Sequence, residues 1–143
     1  MHGYVRGSLL LILVLPLGCG KNYQLAPVSG RVTLDNRPLA HAEVRFSPTG
    51  GPNLPYSVDV TDEQGHYELR LGIDGETPGA VVGEHRVTIS LDQRKNKMLL
   101  KAGGEMPKRV AGEQLPSKYN RDSKLTCTVP PEGKNENFDL KSK

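Results

Sequence analysis

The alternation that runs from Ala26 to Pro48 constrains this chain more than any other feature. Val28, Gly30, Val32 and Leu34 fall on one side of the run, and Ser29, Arg31 and Thr33 on the other. A period of two sets one face against a core and the other in water, as in a half-buried strand. Asp35-Asn36-Arg37-Pro38 follows as a cluster of turn formers, with Pro38 ending the strand. Ala42, Val44 and Phe46 then alternate with Glu43 and Arg45 up to Pro48. The two runs are expected to pair as a β-hairpin.

The same period recurs to the C-terminus. Tyr56, Val58 and Val60 alternate with Ser57, Asp59 and Thr61 in a third expected strand. Asp62-Glu63-Gln64-Gly65 reads as a tight turn, in which Asp bonds its own backbone and Gly suits the fourth position. Tyr67, Leu69 and Leu71 mark a fourth strand, and Val87, Ile89 and Leu91 a fifth. Leu125, Cys127 and Val129 mark a sixth, Pro130 to Asn135 a turn, and Phe138 and Leu140 a seventh strand. Leu115 to Asn120 is expected to be a short extended piece. Seven short strands separated by turn signals predict an all-β fold, a seven-stranded antiparallel β-sandwich. Its core is expected to hold Val32, Val44, Phe46, Val60, Tyr67, Leu69, Val87, Ile89, Cys127 and Phe138.

Composition agrees. The chain has 143 residues, room for one domain with one core. Its 16 Gly and 11 Pro, with Val and Leu in short runs between them, suit strands and turns better than helices. Net charge is +3, too small an excess to point to a nucleic-acid partner.

Residues 1–18 read as a targeting segment. Arg6 precedes the nine-residue apolar run Leu9 to Leu17, which is followed by Gly18-Cys19. Nine residues cannot cross a hydrocarbon core that needs about 20 as a helix, but suit a signal-peptide h-region. The small residue directly before Cys19 resembles the lipobox of bacterial lipoproteins, although the position three before the cysteine is Pro16 rather than the usual Leu. That resemblance implies cleavage before Cys19 and acylation of Cys19. Two or more acyl chains, at about 0.8 kcal/mol per buried CH₂, give stable anchoring. Residues 19–25 then form the lipidated cysteine and a tether, and residues 26–143 the domain. With Cys19 acylated, Cys127 has no disulfide partner within the chain and reads as a small core residue.

Few residues suggest chemistry. His41, His66 and His85 lack the short-spacing pair of a zinc site, and His85 is expected at the edge of the strand that it opens. Asp59, Asp62, Glu63, Asp74 and Glu76 lack the alternating pattern of an EF-hand loop. No G-x-S-x-G elbow occurs. Neither a metal nor a cofactor is expected. Gln93 to Gln114 has no strand period, and between Arg94 and Arg109 the bases Arg94, Lys95, Lys97, Lys101, Lys108 and Arg109 face one acid, Glu105, for a local net charge of +5. This stretch is a candidate surface for an acidic partner or lipid headgroups; the reading favoured here is a solvated loop.

Several segments carry a further resemblance. Val28-Ser29-Gly30-Arg31-Val32-Thr33-Leu34-Asp35, with Arg37-Pro38-Leu39-Ala40 and Ala42-Glu43-Val44-Arg45-Phe46, resembles the opening of carboxypeptidase regulatory-like domains. Thr61-Asp62-Glu63-Gln64-Gly65-His66-Tyr67 resembles their T-D-x-x-G-x-[YF] turn, and Gly83 to Ile89 their G-x-[HY]-x-V-x-[IV] strand. Leu115 to Asn120, Leu125-Thr126 and Asn137 to Leu140 resemble small bacterial lipoproteins that carry this domain. The resemblance implies a transthyretin-like (prealbumin-like) β-sandwich of the Ig-like topology class, without peptidase activity, since in that family the module is an accessory to a separate zinc peptidase domain. The hydrolase branch of the transthyretin-like fold ends in Tyr-Arg-Gly-Ser, unlike the Asp-Leu-Lys-Ser-Lys here.

The expectation is therefore a monomeric, non-catalytic module, held by Cys19 to a bacterial membrane in the cell envelope and facing away from the cytoplasm. It would serve a binding or structural role toward an unidentified protein or glycan. The alternative is an accessory that docks onto a separate envelope hydrolase or carbohydrate-processing system.

Overall fold

The computed structural model describes residues 22–92 and 112–143. These form an all-β protein. Twelve strand segments appear among them, several only two residues long, with a single 3-10 turn at Ser117–Tyr119 where an extended piece was expected.

Five segments make one sheet, in the order β10 (Thr126–Val129), β9 (Gly83–Ser90), β4 (Glu43–Pro48), β5 (Ser57–Val60) and β7 (Arg70–Leu71), with every pair antiparallel. A second sheet is built around β2 (Val28–Leu34). On one side β2 pairs antiparallel with β3 (Arg37–Pro38) and β6 (His66–Glu68). On the other it pairs with β11 (Lys134–Asn135) and β12 (Phe138–Leu140), and both of these pairings are parallel. The two remaining segments, β1 (Leu25–Ala26) and β8 (Ala80–Val81), pair with each other. The inner faces of the sheets share one apolar cluster, in which the rings of Phe46 and Phe138 meet edge to face at 6.2 Å.

Four local expectations are corrected. First, β2 and β4 do not form a hairpin. Asp35 and Asn36, both at positive φ, make a two-residue turn that returns the chain along β2 as β3. Such turns match strand twist and favour Asn and Asp. Pro38 therefore sits in an edge strand rather than ending one, a place where its missing N–H is tolerated. The chain then crosses to the other sheet through buried Leu39 and through His41 at φ 60°.

Second, not all pairing is antiparallel. The turn 130–133 carries the chain from the end of β10 over to the start of β2, with Lys134 N–H donating to the Pro27 carbonyl at 2.9 Å. No hairpin links β12 to β2, so nothing in the local chain imposes opposite directions. Third, β5 has the opposite phase from that expected. Ser57 and Thr61 are buried, while Val58 and Val60 are only half-buried and face outward. Thr61 can face the core because its hydroxyl donates to the Leu39 carbonyl at 2.6 Å and accepts from Ala42 N–H at 2.9 Å. Fourth, His85 is wholly buried rather than at an edge. The other nine residues expected in the core are buried.

The run 66–71 serves both sheets. Leu69, between β6 and β7, donates its N–H to Val28 of one sheet and accepts from Gly79 beside the other. Tyr67, Leu69 and Leu71 all point inward across this transfer.

Candidate functional site

The candidate lipidation residue Cys19 and the candidate partner-binding cations Arg94, Lys95, Lys97, Lys101, Lys108 and Arg109 lie outside the described residues. The surface that the described strands do build is the outward face of the five-stranded sheet.

Strand register places Thr88, Arg45, Val58 and Arg70 in one lateral row across β9, β4, β5 and β7. Ser90, Glu43 and Val60 form the next row. These rows floor a groove of about 1270 Å³, walled on one side by Glu113, Leu115 and Asn120. The Arg45 guanidinium lies 4.2 Å above the Tyr56 ring and 3.3 Å from Glu43 Oε1. Tyr56 also packs on Gly72, where a Cβ would overlap the ring. Tyr56 thus packs on both a cation and the backbone of Gly72 at the edge of the groove.

Glu113 orders the rim of the groove. One carboxylate oxygen accepts from the N–H groups of Leu91 and Leu115, at 3.0 and 2.9 Å. The other accepts from the Ser90 hydroxyl. That carboxylate is committed to holding the chain together, and the groove lining includes no histidine or cysteine. Alternation along β4 and β9 was enough to turn Glu43, Arg45, Thr88 and Ser90 outward. Nothing local to Glu113 signalled its role.

The histidines are dispersed. His41 Nε2 lies 2.9 Å from Glu63 Oε1, and His66 Nδ1 lies 3.9 Å from Asp62 Oδ2. His85 Nε2 donates to the Val81 carbonyl at 2.6 Å, and its Nδ1 has no partner among the described residues. Burial pushes the pKa of His85 below the usual histidine value, against the pull of the Val81 carbonyl. Asp62 and Asp74 act as turn formers. Asp62 accepts from the N–H groups of Gln64 and His66, Asp74 from those of Glu76 and Thr77. Among the described residues, no three His, Cys, Asp or Glu side chains are grouped to hold a metal ion.

Cys127 is buried and free of disulfide bonding. Its Sγ lies 3.6 Å from Glu136 Oε2, which pairs with Lys134 Nζ at 2.5 Å. Burial, helped by Glu136, pushes the thiol pKa up, which suits a packed residue rather than a nucleophile.

No family model matches the sequence, and no curated protein matches it. Among solved structures, the chain is similar to a 9R-lipoxygenase from Cyanothece PCC8801, at 15% identity and a TM-score of 0.34. That likeness covers 82% of this chain but 16% of the lipoxygenase, and implies nothing about activity here. No helix among the described residues is long and apolar enough to cross a membrane.

Proposed function

We infer that this chain is a non-catalytic, lipid-anchored module of a bacterial cell envelope. The reading takes its two-sheet fold as a transthyretin-like β-sandwich of the carboxypeptidase regulatory-like kind. The observation that carries it is the nine-residue apolar run Leu9 to Leu17, followed by Gly18-Cys19 and then, six residues after Cys19, by the first described strand, β1 at Leu25. A signal segment that runs so directly into a folded domain leaves room for a tether and little else. The module faces away from the cytoplasm and presents its outward sheet surface to a protein or glycan partner. Its groove suits binding better than turnover, since Glu113 holds Ser90, Leu91 and Leu115, Glu43 pairs with Arg45, and Asp59 accepts from Glu68 N–H.

Metabolic labelling with a palmitate analogue tests the reading. The wild-type chain takes up label and migrates as a processed protein. Cys19→Ser takes up none and keeps its signal segment. Label retained on Cys19→Ser would overturn the assignment.

A further inference from the structure

Strand register defines two ends of the molecule. At one of them β4 finishes at Pro48, opposite His85, and β5 begins at Ser57, opposite Leu71 of β7. At that same end β9 begins at Gly83, opposite Val129, where β10 finishes. The loop 49–55, the hairpin loop 72–77 and the turn 130–133 therefore share this end. The Asp35-Asn36 turn and Asp92 lie at the other.

The segment between Pro78 and Gly83 crosses the shared end. Pro78 bridges to Arg70 on β7, and Gly83 opens β9, three strands away. Three strand spacings of about 4.8 Å need about 14 Å, and five residue steps of extended chain reach about 17 Å. The segment includes β8, and β1 pairs with it, so Ala26, Ala80 and Val81 close that end of the core. Gln24 accepts from Val82 N–H, so the chain enters the domain here as well.

We propose that this end faces the bilayer and that Ile73 sits in the lipid interface. The proposal rests on the anchor at Cys19 and adds to it an orientation and a contact residue. Six residue steps from Cys19 to Leu25 span at most about 20 Å, which holds the shared end close to the lipid. Ile73 is the large hydrophobic residue left exposed among those described, at 66%, and it lies in the 72–77 loop. Its loop is fixed to the sheet, because Leu71 N–H donates to the Thr77 carbonyl and Gly75 N–H to the Leu71 carbonyl. The neighbouring stretch Thr49 to Pro55 carries no charge. Asp74, Glu76, Glu84 and Glu132 outnumber Arg70 and Lys134 at this end. The contact is therefore apolar rather than electrostatic, and it does not require anionic lipid.

The test uses the full chain, processed in bacteria and reconstituted into phosphatidylcholine vesicles that carry quencher-labelled acyl chains. Ile73→Cys is labelled with an environment-sensitive fluorophore. Arg37→Cys, exposed on β3 at the opposite end, is the control. Buried Cys127 stays unlabelled in the folded protein. The expected result is a blue shift and quenching at position 73, with neither at position 37. Protein that floats with the vesicles but shows equal signals at both positions overturns the orientation and leaves the anchor standing. Protein that does not float overturns the anchor and the orientation together.

Discussion

The hydroxyl of Tyr67 on β6 donates to the main-chain carbonyl of Glu136 at 2.6 Å. That carbonyl also fills the space where a side chain on Gly30 would lie. Three segments thus meet at one oxygen: β2 at Gly30, β6 at Tyr67, and the link between β11 and β12 at Glu136. Burial pushes the Tyr67 pKa far up, so the hydroxyl stays protonated, and a donor, at neutral pH. Tyr67→Phe strands the carbonyl and is expected to cost about 1–3 kcal/mol. Gly30→Ala is expected to cost more, because the overlapping group is backbone and cannot swing aside. Urea denaturation of both variants checks the order. A Gly30→Ala midpoint equal to wild type would contradict this packing.

Phe46 and Ser57 lie opposite each other in register and are both fully buried, but they differ in what burial does for them. Phe46 packs on His85 and Phe138, with ring centroids at 5.6 and 6.2 Å. Phe46→Ala is expected to lose about 3–5 kcal/mol through lost burial and a cavity. The Ser57 hydroxyl has no hydrogen-bond partner among the described residues. Its desolvation is uncompensated, so Ser57→Ala is expected to be neutral or stabilising. Thermal melts of the two variants should shift by very different amounts, the second upward or not at all.

These residues also show what the sequence made legible. Val87 and Ile89 alternate so regularly that β9 was readable from period two alone, and Tyr67, Leu69 and Leu71 had the correct phase. Periodicity reports a face, however, not a partner. It could not show that the run through Leu69 passes from one sheet to the other, or that Phe138 lies parallel to Val32. β5 was read out of phase because a rule that places valines inside cannot foresee Thr61 meeting its hydrogen bonds within the core. Of the candidate site, alternation found the outward residues of β4 and β9. The Glu113 clamp joins Ser90, Leu91 and Leu115 across the chain and leaves no periodic mark.

His85 gives stability a pH dependence whose sign follows from its burial. Its folded pKa lies below the ordinary value of 6.5, so the folded ring stays neutral where the unfolded ring has taken a proton. The unfolded state then binds more protons, and stability falls as pH drops below about 6.5, by at most about 1.4 kcal/mol per unit for one group. The loss continues until the folded pKa is reached. His85→Leu should flatten this part of the profile, whatever its effect at neutral pH. The pairs His41–Glu63 and His66–Asp62 remain in both proteins, so the difference between the two profiles isolates His85. Denaturant unfolding between pH 5 and 7.5 is the measurement. Parallel profiles would show that His85 does not titrate on unfolding.

Glu113 makes a prediction about the stretch that carries the six candidate cations. The described chain stops at Asp92 and resumes at Gly112, and the two flanks are already joined. Gln114 N–H donates to the Leu91 carbonyl at 3.2 Å, and one Glu113 oxygen accepts from both Leu91 and Leu115. Leu115 is buried in the core cluster, which fixes the second flank from below. With both flanks held this way, the length of the connection enters stability mainly through closure entropy, which changes by only about 0.6 kcal/mol per doubling of length. Replacing Lys95 to Lys108 with a short Gly/Ser linker is therefore expected to leave the melting temperature nearly unchanged. Glu113→Ala removes a charged acceptor from two main-chain donors and the Ser90 hydroxyl, and is expected to cost about 1.5–3 kcal/mol. The two effects should separate cleanly in thermal melts. A large drop on loop replacement, with little change for Glu113→Ala, would mean that the excised residues themselves hold the fold. Loss of a salt-sensitive partner in a pull-down with the shortened chain would instead assign the cations to binding, since exposed charges are screened over about 8 Å at physiological ionic strength.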